Sequence, residues 1–221
     1  MMTYRELEQY LFSLGDPKFA AFSKSLSNSF YLSIGVKNPV LRKIIKEHVN
    51  DNELKIDDFI LGKYLEVDFI YFGLALSRLK TIDEQLDFLF NHVRSAQSWA
   101  ITDVLPSYLR KCSFEKYWSL FLKLYLSSYS YDRRFAYVLG LKFYQDERVL
   151  DVLNYLRPRE EYIIMMAEAW LLATIAIIYP HQIYDFLKKS DDLSLKRKTI
   201  SKICDSFRVD KQTKEKFKRL R

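Results

Sequence analysis

The 221-residue sequence predicts an all-α protein built as a HEAT-like stack of helix pairs. Apolar residues recur at helical spacing almost everywhere and alternate at strand spacing almost nowhere. Glycine and proline number only five each, in a chain rich in Leu, Lys, Tyr and Phe, which favours helices over strands joined by tight turns. The periodic segments are separated by short connections and pair into hairpins of about 35–40 residues, the period of HEAT-like solenoids. No residue-level repeat is visible, so an irregular globular helical domain satisfies the same periodicity. With 49% hydrophobic residues and no linker long enough to divide it, the chain is expected to form a single domain over residues 1–221.

The first segment places Leu7, Tyr10, Leu11 and Leu14 on one helical face. Asp16-Pro17 then starts a second helix, with Asp16 as N-cap and Pro17 at the first helical position. Residues 19–30 contain four serines, an asparagine and only one lysine, Lys24, a composition that favours caps and turns over helix. Gly35 marks a turn, and Asn38-Pro39 repeats the cap-and-proline signature before the next helix. Further helices are expected over residues 57–61, 65–79, 82–93, 99–111, 114–125, 132–144, 147–156, 160–178, 183–189, 195–207 and 211–220. Pro106 lies inside the span 99–111, where it loses a hydrogen bond and clashes with the Thr102 carbonyl. A kink or break is expected there, with Asp103 in the last turn before it.

The formal net charge of +7 is concentrated at one end. Residues 196–221 carry eleven Lys and Arg against three acids, and the preceding residues sum to −1. Lys196 and Arg197 open this basic block, which can serve as a phosphate-binding surface or as a solvated helix face. Cys112 and Cys204 are far apart and in no CxxC pair, which points to idle thiols in a reducing cytoplasm. The N-terminus has acids where a signal peptide needs bases and an apolar core. Residues 163–179 are strongly apolar but contain Glu168, whose insertion into a bilayer costs roughly 2.5–3.5 kcal/mol. A buried helix of a water-soluble protein is therefore expected there, and no membrane partner.

Common catalytic signatures are absent. His48, His92 and His181 are scattered, with no HExxH and no Cys/His cluster, so no metal site is expected. There is no GxSxG, no phosphate-cradling glycine loop and no dinucleotide fingerprint. Any catalysis must draw on carboxylate, aromatic and arginine groups without a cofactor. The stretch Ser98-Trp99-Ala100-Ile101-Thr102-Asp103 offers such a pair, because an i,i+4 spacing puts the Trp99 indole and the Asp103 carboxylate on one helical face. An acid beside an aromatic face can hold positive charge in a substrate or a transition state, and it can equally be a packed indole next to a solvated acid. Asp132-Arg133-Arg134 reads as an N-cap followed by two first-turn arginines. Their charge opposes the helix dipole unless an anion or an acid such as Asp132 or Glu147 balances it. Trp170 lies in the most apolar helix, where a core role is the simplest reading.

Taken together, Ser98-Trp99-x-x-x-Asp103, Arg133-Arg134-Phe135-Ala136 and Ala167-x-Ala169-Trp170-Leu171-Leu172 resemble the AlkD-like family of DNA alkylation repair glycosylases. The turn Gly35-Val36-Lys37-Asn38-Pro39-Val40-Leu41-Arg42 is similar to one in that family's N-terminal part. The resemblance runs from about Tyr4 to the C-terminus. It implies a right-handed HEAT-like solenoid of antiparallel helix pairs with a concave face for duplex DNA. It also implies cofactor-free, hydrolytic excision of cationic alkylpurines such as 3-methyladenine and 7-methylguanine, without a snug base pocket. On the same footing, Asp103 would stabilise the oxocarbenium character of the sugar, flanked by Trp99 and Trp170. Arg134, with Arg133 beside it, would bind phosphate, and Lys24, Lys196 and Arg197 would be further DNA contacts of a monomeric protein. Active relatives probe the minor groove with aromatic and basic side chains of the second helix, where this chain is serine-rich, and Ala100 replaces an acid common in relatives. A paralogue that binds DNA but excises little shares these features, as does a protein-binding helical scaffold.

Overall fold

The computed structural model describes residues 2–27, 30–156 and 161–220, with backbone only for residues 26 and 27. The described residues contain twelve α-helices, five 3-10 segments and no strand, with one isolated bridge between Leu32 and Tyr64. The chain folds as two compact units, Met1–Cys112 and Ser113–Arg221.

The first unit contains α1 (Tyr4–Ser13), α2 (Pro17–Ser27), α3 (Asn38–His48), α4 (Leu65–Arg78), α5 (Ile82–His92) and the single turn α6 (Trp99–Thr102). Each start has a local cause. Thr3 and Thr81 form capping boxes with Glu6 and Glu84 at the heads of α1 and α5. Asp16 accepts from the Lys18 and Phe19 amides at the head of α2, with Pro17 in the first position as expected. The helix α3 begins one residue earlier than the Asn38 cap predicts: Lys37 is the N-cap, without a side-chain bond, and Pro39 lies inside the first turn.

The serine-rich segment is helical through Ser27, contrary to its composition. A charged cap, a proline in the first turn and the Phe19–Phe22 ring contact at 6.2 Å outweigh the propensity of its serines. At the centre of this unit stands α4, whose residues from Leu65 to Leu76 are all buried. An apolar surface on every side is the signature of a helix enclosed by others, here α3, α6 and the 3-10 segment Leu105–Tyr108 among them. At its C-terminal end, Arg78 donates to the carbonyls of His48, Val49, Asp51 and Leu54 and so ties down the loop after α3.

The second unit contains α7 (Phe114–Tyr125), α8 (Ser130–Gly140), α9 (Tyr162–Ile175), α10 (Pro180–Lys189), α11 (Leu193–Asp205) and α12 (Lys211–Lys218). The helix α7 packs on α8, α8 on α9, and α9 on α11. The most apolar stretch, from Ile164 to Ile175, is α9 and lies largely buried among them, which is why it reads like a membrane span while no described helix is long and apolar enough to cross a membrane. An aromatic cluster fills the other side: Trp118 stacks on Phe121 at 4.8 Å, and Phe121 and Tyr125 both meet Tyr155 edge-on. Residues 147–155 form a 3-10 helix rather than the α-helix their periodicity suggests.

Candidate functional site

The stretch around Trp99 is shaped by its two ends. Ser98 is extended, fully buried, and accepts from the Ala100 amide at 3.2 Å, which starts α6. The helix stops after four residues, and Asp103 becomes its C-cap, donating its amide to the Trp99 carbonyl at 2.9 Å. Pro106 sits inside the following 3-10 segment and has no amide for the Thr102 carbonyl, so the α-helix ends a turn ahead of it. The expected helix over 99–111 is thus broken, as Pro106 predicts. Trp99 and Asp103 remain one turn apart, both half-buried, and the Thr102 hydroxyl lies 3.4 Å from Asp103 Oδ1.

Trp99 also walls a cavity of 410 Å³ together with Phe19 and Phe22 of α2, Lys37 of the following turn, and Glu66 and Phe69 of α4. The turn is held from below by Glu66, which is buried. Its carboxylate accepts from the amides of Ile34 (2.9 Å), Gly35 (2.8 Å) and Val36 (3.3 Å) and from the Ser33 hydroxyl (2.8 Å). Gly35 has φ +93°, and a Cβ there would lie 2.1 Å from the Asp16 carbonyl oxygen. Only glycine fits that approach, and the Asp16 amide in turn donates to the Gly35 carbonyl. One carboxylate on α4 therefore sets the turn, the turn sets the head of α2, and α2 brings Phe19 and Phe22 to the cavity beside Trp99.

A second buried acid, Asp68, lies one half-turn along α4. It accepts from the Tyr31 hydroxyl at 2.7 Å and from the Gly62 amide at 3.0 and 3.1 Å. Burial pushes its pKa up to about 6 against the lowering effect of these bonds. Sequence reasoning passed over both acids, although Glu66-x-Asp68 at the head of an otherwise apolar helix was a readable signal. Phe19, Phe22 and Lys37 became candidates only through the cavity they share.

In the second unit Asp132 is not an N-cap. The helix α8 begins at Ser130 after Tyr129, and Asp132 is buried within its first turn, accepting from the Ser127 hydroxyl at 2.6 Å. An acid here still complements the helix dipole, but from inside the helix. Arg133 forms an ion pair with Glu161, the residue that precedes α9, and Ser130 also donates to that carboxylate. Arg134 is only 3% exposed, and its Nη1 donates to the Ile163 carbonyl at 2.6 Å. Both arginines, which lie past the first turn of α8, thus fasten it to the start of α9. The expected partners of that salt bridge were Asp132 or Glu147; the partner found is Glu161.

Trp170 is half-buried on α9. It lines a second cavity, of 310 Å³, with Thr174, Lys202, Asp205 and Arg208. Arg208 lies over the Tyr144 ring, 5.4 Å from its centroid. Of the other candidate DNA contacts, Lys24 and Arg197 are exposed and Lys196 is half-buried. Among the described residues no three or more His, Cys, Asp or Glu gather to hold a metal. The structure thus groups Trp99 with Asp103 in one unit, and Arg133, Arg134 and Trp170 on two packed helices of the other.

Comparison with known proteins adds a family. A family model described as "DNA alkylation repair enzyme" matches residues 7–205. A solved structure, "Predicted DNA alkylation repair enzyme from Enterococcus faecalis", superposes with a TM-score of 0.67 at 18% identity, over 84% of this chain and 94% of that one. At that identity the likeness establishes a shared fold. None of the curated proteins matches.

Proposed function

The chain belongs to the DNA alkylation repair enzyme family, and from that premise we propose that it is a hydrolytic N-glycosylase that removes cationic alkylpurines from duplex DNA. The observation that carries this reading is the pair Trp99 and Asp103. It sits on a single helical turn braced by the buried Ser98 cap and the Thr102 hydroxyl, and its carboxylate is half-buried but reachable. Such a short, capped support keeps the carboxylate fixed, the condition under which it stabilises developing charge without reorganising.

In this mechanism the C1′–N bond breaks heterolytically, and its electron pair neutralises the positive charge of the alkylated base. Because the leaving group departs neutral, no strong acid catalyst is needed. Asp103 faces the oxocarbenium character that develops on the sugar, and the Trp99 indole adds a π-face. Water then adds to C1′, and its proton passes to the carboxylate or to solvent.

Phosphate contact falls to Lys24, Lys196 and Arg197. Arg133 and Arg134 join them only where a phosphate replaces Glu161 and the Ile163 carbonyl as their partners. That engagement of both arginines favours a second reading, a DNA-binding family member that excises slowly. Single-turnover release of 7-methylguanine from methylated duplex separates the two. Glycosylase action predicts release that drops about 100-fold in Asp103→Asn. Binding to the duplex without any release by the natural sequence establishes the second reading in its place.

A further inference from the structure

A polar cavity of 610 Å³ lies between α10 and α12 of the second unit, apart from the residues used in the chemistry above. His181 and Tyr184 of α10 line it, with Gln212, Glu215 and Lys216 of α12 and Arg219 at that helix's C-cap. The helix α12 lies beyond residue 205, where the family match ends, so the site rests on this chain's own residues. Phe217, fully buried, anchors α12 and meets the Tyr184 ring edge-on at 5.7 Å. Tyr184 in turn offers its face to Lys216, whose Nζ is 4.5 Å from the ring centroid and 3.3 Å from His181 Nδ1. An ammonium has only donors, so Nδ1 accepts and the imidazole proton sits on Nε2. The pair thus holds Lys216 in place and leaves His181 with an N–H to offer. Glu215 keeps its negative charge, held below the usual carboxylate range by Lys218, its partner at 2.7 Å. That pair is neutral as a whole, so Lys216 and Arg219 set the sign of the cavity.

An imidazole N–H, an ammonium and a guanidinium lining one cavity from two helices suit an anion with oxygens on several sides. A carboxylate presents two oxygens in one plane, whereas a phosphate presents them around a tetrahedron. The volume is in the range of small-molecule sites and leaves room for the rest of an ester. We propose that this cavity binds the phosphate group of a phosphate ester, with His181 Nε2–H, Lys216 and Arg219 as donors and the Gln212 amide beside them. Two sources carry that chemistry: the sugar–phosphate backbone of DNA and a small free phosphate ester. The inference goes beyond the glycosylase reading and does not require excision at Asp103.

The test uses the full chain, with inorganic phosphate and a short duplex as probes. Phosphate should raise the melting temperature saturably, beyond chloride at equal ionic strength, and shift the His181 imidazole signals in nitrogen-correlated NMR spectra. Lys216→Gln and Arg219→Gln should each weaken phosphate binding about tenfold, the worth of one charge-assisted hydrogen bond. Both side chains are exposed, so the variants should fold, which circular dichroism checks. Repeating the titration on the duplex-bound chain identifies the source. A phosphate response suppressed by the duplex, with weaker duplex binding by Arg219→Gln, assigns the site to the DNA backbone. A response that persists on the duplex-bound chain assigns it to a free ester. No stabilisation beyond chloride, a response undiminished in both variants, or His181 signals that do not move overturns the inference and leaves the DNA reading in place. A chain that binds no duplex overturns the DNA reading, and the phosphate titration alone then decides this site.

Discussion

The Tyr31 hydroxyl lies 2.7 Å from Asp68 Oδ2 and 3.0 Å from the Ser95 carbonyl, so one hydroxyl proton faces two acceptors. A proton on Asp68 completes the chain: the carboxyl donates to Tyr31, and Tyr31 donates to Ser95. Ser95 ends the 3-10 segment Val93–Ser95, three residues ahead of the Ser98 cap. Tyr31 thus ties α4 to the segment that leads into the Ser98 cap.

A stability profile against pH should reveal this acid. Its folded pKa of about 6 is above the ordinary aspartate value of 3.8, so the folded state binds the proton more tightly than the unfolded chain. Its contribution is therefore greatest below about pH 4 and is lost as pH rises to about 6. The loss amounts to as much as about 3 kcal/mol, since each tenfold difference in proton affinity between the two states is worth about 1.4 kcal/mol. Asp68→Asn should flatten this part of the profile and raise neutral-pH stability in urea titrations relative to the natural sequence. A profile whose slope between pH 4 and 6 is the same in both proteins would show that Asp68 does not titrate there.

Two glycines separate backbone strain from steric clash. Gly35 and Gly62 both have positive φ, +93° and +87°, but a Cβ at Gly35 meets the Asp16 backbone while one at Gly62 meets nothing within 4 Å. Gly62→Ala should cost only the conformational term, about 1 kcal/mol. Gly35→Ala should cost more than about 3 kcal/mol, because the turn, the head of α2 and the Glu66 bonds move together. Thermal melts of the two variants decide the matter, and equal losses would mean that the turn yields freely.

Glu161 offers a gain-of-binding test. It neutralises Arg133 at the junction of α8 and α9. Glu161→Gln keeps a hydrogen-bond acceptor for Ser130 but removes the charge. Duplex affinity at low salt should rise a few-fold, and the slope of log K against log salt should steepen by about 1 as one further cation meets phosphate. An unchanged slope would assign Arg133 to the packing of α8 on α9 alone.

Much of the architecture was legible in the chain. The helix over 114–125 is found where periodicity places it, because buried positions repeat at helical spacing from Phe114 to Tyr125. Asp16-Pro17 is visible as a start because cap and proline act within a few residues of each other. The serine-rich segment misled because propensity counts serines one at a time, whereas its cap and phenylalanines act through neighbours. Asp132 misled in a similar way: its own helix starts two residues sooner, at Ser130.

By itself the sequence determined the all-helical class, the break ahead of Pro106, the Trp99–Asp103 spacing and the family resemblance, since each depends on residues close in the chain or on their order. Only the tertiary structure decided where charges end. It buried Arg134 against the Ile163 carbonyl, paired Arg133 with Glu161, and set Glu66 beneath the turn at Gly35. The physical reason is that hydrogen bonds and ion pairs act over a few ångströms of space. Partners separated by about thirty residues leave no periodic trace in the chain that joins them.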